Sequence, residues 1–473
     1  MEAPFRIPVV VCNQTATITS CDGDIQLGAH FDNNCNSWLH SLRVFDGEKS
    51  NYALYILQPT KIELGHMALR RIMKVAQDTN AAMVYCNHYN RKSDTSLVKH
   101  PVIDCQEGSL RDDFDFGPVV LISKDALYKA CTEIDKDIFH LQHSGFYAVR
   151  LALSRIGRIV HIPEFLYISD EIDSRSSGER IFDYQLESEA AKQKEMEAVC
   201  TWHLKKIGAY LAPQQYCNVN LTQGEFPVEC SIIIPVLNRV KVIRDAIKSV
   251  LAQEAPFKFN LIVIDNHSTD GTSEAIDEFA GDPRLIHIIP ERKDLGIGGC
   301  WNLGIYNERC GRFAIGLDSD DLFATPSAID TMVKKFYEDN AAMVVGSYKV
   351  VNNDLQEVPP GTIAHREWTM ENGRNNLLRV NGIGGPRAFF TPIYREICLP
   401  CSSYGEDYGM CLMLSRHYRV GRVWDVMTLA RRGDDNTDSN LSIEQENAYN
   451  IYKDRLRTWE VQARQALNHL ENQ

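Results

Sequence analysis

The chain repeats itself. Slid by 260 positions, LQPTKIELGHMALRRIMKVAQDTNAAMV (57–84) falls over LDSDDLFATPSAIDTMVKKFYEDNAAMV (317–344), with eight of 28 positions identical and the last five consecutive. Slid by 261, YAVRLALSR (147–155) falls over YGMCLMLSR (408–416). Two matches in the same order at nearly the same offset imply one scaffold present twice. The length of 473 residues agrees, since a domain takes roughly 100–200. The copies differ in their acids. Opposite Asp318, Asp320 and Asp321 the first copy has Gln58, Thr60 and Lys61, and opposite Glu406 and Asp407 it has Gly145 and Phe146. The first copy also has fewer residues ahead of its matching segment, so its early strand-helix-strand units are shortened. Residues 1–185 are therefore expected to form a degenerate domain for acceptor docking or oligomerisation, without chemistry of its own. A helix and linker (186–228), a catalytic domain (229–440) and a C-terminal helix (441–473) follow.

The catalytic copy reads as α/β. The run CSIIIPV from Cys230, a helical period over 242–252 and the run FNLIVID ending at Asp265 make a strand, a helix and a strand, which implies a parallel sheet with right-handed crossovers. A third step runs through 285–289 and a helix over 299–310, and the strand 313–317 ends directly at Asp318. Between the copies, Phe182 to Leu211 is rich in helix formers. Residues 442–472 read as a long terminal helix.

Composition narrows the partners. Lys plus Arg number 50 and Asp plus Glu 63, a net charge of −13 that repels phosphate backbones and anionic bilayers, so nucleic acid is excluded as the expected partner. No window holds the 18 or so apolar residues of a membrane span, and the first residues lack the basic end and apolar stretch of a signal peptide. A cytoplasmic protein, peripheral to a membrane-bound assembly system, is expected. The 14 cysteines are scattered, which suits reduced, buried thiols. Cys398-Leu-Pro-Cys401 lacks the second pair of a structural zinc site and reads as a turn.

Two strand ends carry candidate chemistry. Asp318-Ser319-Asp320-Asp321 places three carboxylates within four residues at the carboxyl end of a strand, where open α/β sheets bind ligands. Such a cluster suits Mg²⁺ or Mn²⁺, and equally a solvated acidic turn. The loop from Asp265 to Thr272 suits a base, a ribose or a phosphate, and equally a capped helix start.

Taken in order, SIIIPVLNR, VIDNHSTDGT, LGIGGCWNLGI, LDSDD and GED resemble the family 2 glycosyltransferases, whose GT-A fold is a Rossmann-like, mostly parallel sheet flanked by helices. The resemblance covers residues 229 to about 440 and, through the repeat, reaches weakly into the first copy. It implies a nucleotide-sugar site in which Pro235, Asn238 and the adjoining Arg239 shape the nucleotide pocket, and in which Asp265 contacts base or ribose. Asn266 stands where many members have a second Asp. Asn302 matches an Asn of the family, with Cys300 and Trp301 in place of an Ala and an Arg. Asp318 and Asp320, with Ser319 between and Asp321 after, match the DxD motif that holds a divalent metal against the donor diphosphate. Glu406-Asp407 match the family's Glu-Asp pair, whose Asp is the general base. Arg431 and Arg432 are implied phosphate clamps; the His found near them in relatives is missing, and Asp434 or Asp435 stands nearby. Gly382 to Pro386 lies where relatives form an acceptor-side loop.

The implied activity is inverting transfer from a UDP or GDP sugar to a glycan or glycoconjugate hydroxyl in polysaccharide biosynthesis, with Mn²⁺ or Mg²⁺ as cofactor and a homodimer as the expected assembly. Two other classes are open: a non-catalytic nucleotide-sugar or carbohydrate scaffold, and a nucleotidyltransferase. The latter ordinarily wants a Gly-rich basic loop after its first strand, which Val236-Leu-Asn-Arg239 is not.

Overall fold

A computed structural model describes residues 7–11, 16–20, 25–46, 48, 50–175, 177–180, 182–432 and 441–471. The chain divides into two compact units, one of Met1–Tyr210 with Asp438–Gln473, the other of Leu211–Thr437.

In the second unit the strands are β10 (Cys230–Val236), β11 (Phe259–Asp265), β12 (Leu285–Ile288), β13 (Phe313–Gly316), β14 (Leu322–Phe323), β15 (Met343–Val351), β16 (Glu357–Ile363), β17 (Arg387–Phe390) and β18 (Val420–Arg431). They form one sheet in the order 12-11-10-13-17-15-18-14, with β16 beside β15. All seven residues of β10 and of β11 are buried, as expected of parallel strands covered on both faces. β10 runs parallel to β11 and β13, β17 turns antiparallel to β13, and β14 lies antiparallel to β18. Asp318–Asp321 therefore spans the short passage from the parallel half of the sheet to its mixed half. The loops after β10, β11 and β13 emerge at one edge, the carboxyl ends of three parallel strands.

The first unit has strands β1 (Ile7–Val11), β2 (Thr17–Ser20), β3 (Ile25–His30), β4 (Tyr52–Ile56), β5 (Lys61–Leu64), β6 (Met83–Arg91), β7 (Leu97–His100), β8 (Val119–Ser123) and β9 (Ile159–Asp170). Their order is 2-5-9-6-8-4-1-3, with β7 beside β6. β1 and β3 are parallel neighbours, yet the chain between them contains β2, which pairs with β5 at the far edge. A strand stands where the other unit has a crossover helix.

Three elements differ from the sequence expectation. The helix expected over 182–211 is continuous only as Ala190–Lys206, after 3₁₀ turns at Asp183–Gln185 and Glu187–Glu189. It stops because Gly208 takes a φ of +72° and the Ala209 N–H turns back to the Leu204 carbonyl. The helix expected over 299–310 is Gly296–Tyr306, ended where Asn307 becomes extended. The terminal helix, Ile443–Glu471, belongs to the first unit, where Asp454 accepts from Arg111 at 3.1 Å and from Ser109 at 2.9 Å.

Candidate active site

The strand ends of the second unit are tied together by side chains. Asn238 adopts a φ of +55°, a conformation Asn tolerates better than most residues. Its N–H donates to Ser268 Oγ at 2.9 Å, and its Oδ1 accepts the Thr269 N–H at 2.8 Å. Arg239 donates its N–H to Thr272 Oγ1 at 2.8 Å. Asp265, fully buried at the end of β11, accepts from the Ser268 N–H at 2.9 Å and from Ser273 Oγ. Burial would raise its carboxyl, but the bonds from Ser273 and Ser268, with His287 nearby, hold it below the ordinary range. Asn266 anchors through its N–H to the Val236 carbonyl at 2.8 Å, while its Oδ1 is buried with no protein donor. Pro235 sits inside β10, paired with Ile264, and supports the loop from below.

The second cluster follows β13. Gly316 is the glycine that matters here, since a Cβ on it would lie 2.0 Å from the Trp301 ring. Trp301 thus packs directly against the strand that leads into Asp318. Asp318 is exposed and Ser319 buried, and Asp320 and Asp321 are half-buried. Burial raises the Asp320 carboxyl. Burial, then the charges of Asp318 and Asp320, raise Asp321 well above its ordinary value, although Asp321 accepts the Arg431 N–H at 3.1 Å. Among the described residues no three His, Cys, Asp or Glu side chains stand together as a ready metal cage. The donors nevertheless fit a divalent ion of the kind held by one or two carboxylates and by substrate phosphates. Adjacent carboxyls disfavoured as anions are relieved by an incoming cation.

The third cluster begins the helix Glu406–His417, which Gly405 enters at a φ of +76°. Glu406 is buried, and burial followed by the charge of Asp407 pushes its carboxyl up to about 8. Asp407 is about one-third exposed, and its Oδ2 accepts from Arg387 Nη1 at 2.7 Å. Its Oδ1 accepts the Tyr408 N–H at 2.6 Å. A small cavity lies beside the second cluster, lined by Asp318, Asp321, Trp301 and Thr428 together with Pro386 and Arg387, and Arg387 links it to Asp407 of the third.

Arg387 escaped the sequence reading, although it directly follows the Gly382–Pro386 loop that had been singled out. No local pattern marks it, because its partner lies 20 residues on in another element. Other expected residues make contacts of their own. Asn302 donates to the Leu399 carbonyl at 2.8 Å and accepts from Tyr394 Oη at 3.2 Å. Arg431 reaches Asp245 at 2.8 Å, and the Arg432 N–H goes to the Val351 carbonyl at 2.8 Å. Asp434 and Asp435 lie outside the described residues. Cys398 and Cys401 are both exposed and free.

Residues 231–398 match the family described as glycosyl transferase family 2. The second unit contains a family 2 glycosyltransferase domain. With its sheet order and strand-end site it is a GT-A fold. A glycosyltransferase of Rickettsia felis, otherwise uncharacterised, is 37% identical over 195 residues, 41% of this chain and 31% of that protein. One of Haemophilus influenzae, described in the same words, is 28% identical over 202 residues, 39% of this chain and 60% of that protein. The chain thus spans less than two thirds of either relative. Among solved structures, residues 1–349 of S. aureus TarS in complex with UDP-GlcNAc cover 50% of this chain and 72% of that one, at 19% identity and a TM-score of 0.38. No helix among the described residues is long and apolar enough to cross a membrane.

Proposed function

We propose that the second unit transfers a sugar from a nucleoside diphosphate sugar to a glycan or glycoconjugate hydroxyl, with inversion and with a divalent ion as cofactor. The observation that carries this reading is that Asp318 and Asp321 line one cavity with Arg387, the partner of Asp407. Asn238, Asp265 and Asn266 form the nucleoside side, and the unpaired buried Oδ1 of Asn266 gives it an acceptor for a base N–H. Asp318 and Asp320 would hold Mg²⁺ or Mn²⁺, which supplies charge stabilisation to the departing diphosphate. Asp407 takes the proton of the acceptor hydroxyl as that oxygen bonds to the anomeric carbon. The bond from that carbon to the β-phosphate oxygen breaks, and its electron pair leaves with the diphosphate. Attack from the face opposite the leaving group inverts the anomeric centre. The first unit, which lacks every one of these acids, is assigned to acceptor docking or self-association.

The test is nucleoside diphosphate release by the purified chain from a panel of UDP and GDP sugars, with Mn²⁺, Mg²⁺ or chelator, beside Asp320→Ala and Asp407→Asn. Metal-dependent release from one donor, lost in both variants, is expected. Binding of a sugar nucleotide without turnover under every acceptor tried would favour a scaffold, and absence of binding to all of them would end the glycosyltransferase reading.

A further inference from the structure

The family motifs name Glu406 and Asp407 together, yet the structure treats the two carboxylates differently. We infer that Arg387 is a positioning residue for the transfer step, holding the Asp407 carboxylate fixed beside the cavity so that this oxygen pair, and not that of Glu406, takes the acceptor proton. The inference rests on the glycosyltransferase reading above and deepens it.

Three observations carry it. First, Arg387 opens β17 opposite Val345, and its side chain forms part of the cavity wall together with Asp318 and Asp321. Its Nη1 reaches Asp407 Oδ2 at 2.7 Å, while the Tyr408 N–H holds Oδ1 at 2.6 Å. Each oxygen of Asp407 thus has a fixed donor, which sets the plane of the carboxylate, and Asp407 remains about one-third exposed. Second, the acids around this guanidinium are Asp318, Glu406 and Asp407, and the direct contact goes to Asp407. Glu406 is buried beside them, and burial followed by the charge of Asp407 pushes its carboxyl up to about 8. The two neighbouring carboxyls thus stand in different environments, Glu406 buried and Asp407 partly exposed against Arg387, and such environments assign different roles. Third, the pair is absent as a pair from the other unit. Strand register places Val120 opposite Tyr85 as Arg387 lies opposite Val345, and Phe146 stands where Asp407 stands. In the first unit apolar groups stand at the positions of both cation and base.

The proton balance is simple. The acceptor O–H gives its proton to Asp407, the acceptor oxygen bonds to the anomeric carbon, and the electron pair of the broken carbon–oxygen bond departs on the diphosphate. Arg387 stays protonated throughout and exchanges nothing.

The experiment uses the full chain and compares Arg387→Gln, Arg387→Lys and Arg387→Ala with Asp407→Asn and with the Arg387→Gln/Asp407→Asn double variant. Turnover, acceptor KM and equilibrium binding of the nucleoside diphosphate are measured for each. Arg387→Gln is expected to lose about 100-fold in kcat while nucleoside diphosphate affinity stays within about twofold of the parent, which also certifies the fold. Arg387→Lys should recover part of the loss, and added guanidinium ion should restore part of the Arg387→Ala rate. The double variant should be no slower than Asp407→Asn alone, because the two act as one unit. A parent-like kcat in Arg387→Gln beside an inactive Asp407→Asn overturns the inference and leaves the glycosyltransferase reading standing. So does a loss confined to nucleoside diphosphate binding, which would make Arg387 a phosphate clamp. Full activity in Asp407→Asn overturns the reading itself, and the inference with it.

Discussion

The two units keep one strand order and fill it with opposite chemistry. Written from the same edge, β5-β9-β6-β8-β4-β1-β3 corresponds to β14-β18-β15-β17-β13-β10-β11. The correspondence extends to irregularities: the pairing of β6 with β9 slips at Cys86/Asn87 and Asn87/His88, and that of β15 with β18 slips at Val345/Ser347 and Ser347/Tyr348. At the site the contents diverge. Where Asp321 accepts the Arg431 N–H, the first unit has Lys61 and Asp170, with the signs exchanged, and both belong to a surface network through Glu63 and Arg91. Where Asp320 stands, Thr60 closes the crossing with a 2.8 Å bond to the Asp170 carbonyl. Where Asp407 begins its helix, Phe146 stacks on Trp38, which stacks on Tyr55 and meets Phe31 edge-on. The scaffold does not need the acids. It needs the space occupied, and ring packing does this more stably than a cluster of mutually repelling carboxylates.

The largest expected effect is catalytic and confined to one unit. Asp407→Asn and Asp320→Ala should each lower transfer by about 10²–10⁴-fold, measured as nucleoside diphosphate release, with circular dichroism unchanged. The reciprocal experiment loads an acid into the other unit. Phe146→Asp should destabilise the first unit by about 3–5 kcal/mol in denaturant titration and yield no transferase activity when combined with an inactive Asp407→Asn. A folded Phe146→Asp/Asp407→Asn double variant with transfer restored would break the comparison. Next comes a pH effect. The Glu406 carboxyl is raised to about 8, so the folded state binds its proton more tightly than the unfolded chain does. Its contribution is favourable at low pH and is lost as pH rises from the ordinary glutamate value to about 8. Glu406→Gln should therefore match the parent near pH 5 and exceed it near pH 9 by about 1–3 kcal/mol, read from the Tm at each pH. Smallest is Thr60→Val, which should cost about 1 kcal/mol in the first unit through the lost bond to Asp170 and leave transfer unaltered.

Much of this was visible in sequence, for a definable reason. The buried strands Cys230–Val236 and Phe259–Asp265 announce themselves as continuous β-branched runs, and the acids sit directly after such runs, so Asp265 and Asp318 could be placed by local pattern alone. Glu406 and Asp407 were legible only through the resemblance of GED, in order after the other motifs, to the family's pair, because a glycine and a following apolar period mark any helix start. What stayed hidden depends on contacts between segments. Arg387 is one residue past a loop already noted, but its meaning lies in Asp407. Asn33 closes the helix start at Phe146 from 113 residues away. The placement of β2 at the far edge from β1 cannot be inferred from four residues, TITS, with ordinary strand composition.

The return of the chain to its first unit has a consequence for synthesis. Arg111 is almost wholly buried, and its partner Asp454 is contributed by the helix Ile443–Glu471. A ribosome exposes residues in order, so every segment of Leu211–Thr437 emerges before that helix does. The later unit can complete its core while the earlier one still holds the Arg111 guanidinium with Asp113 alone and without its buried partner, and the usual amino-to-carboxyl order of domain maturation is inverted. A premature stop just before residue 441 would spare the sequence of the catalytic half and withhold the closing piece from the half that was made first.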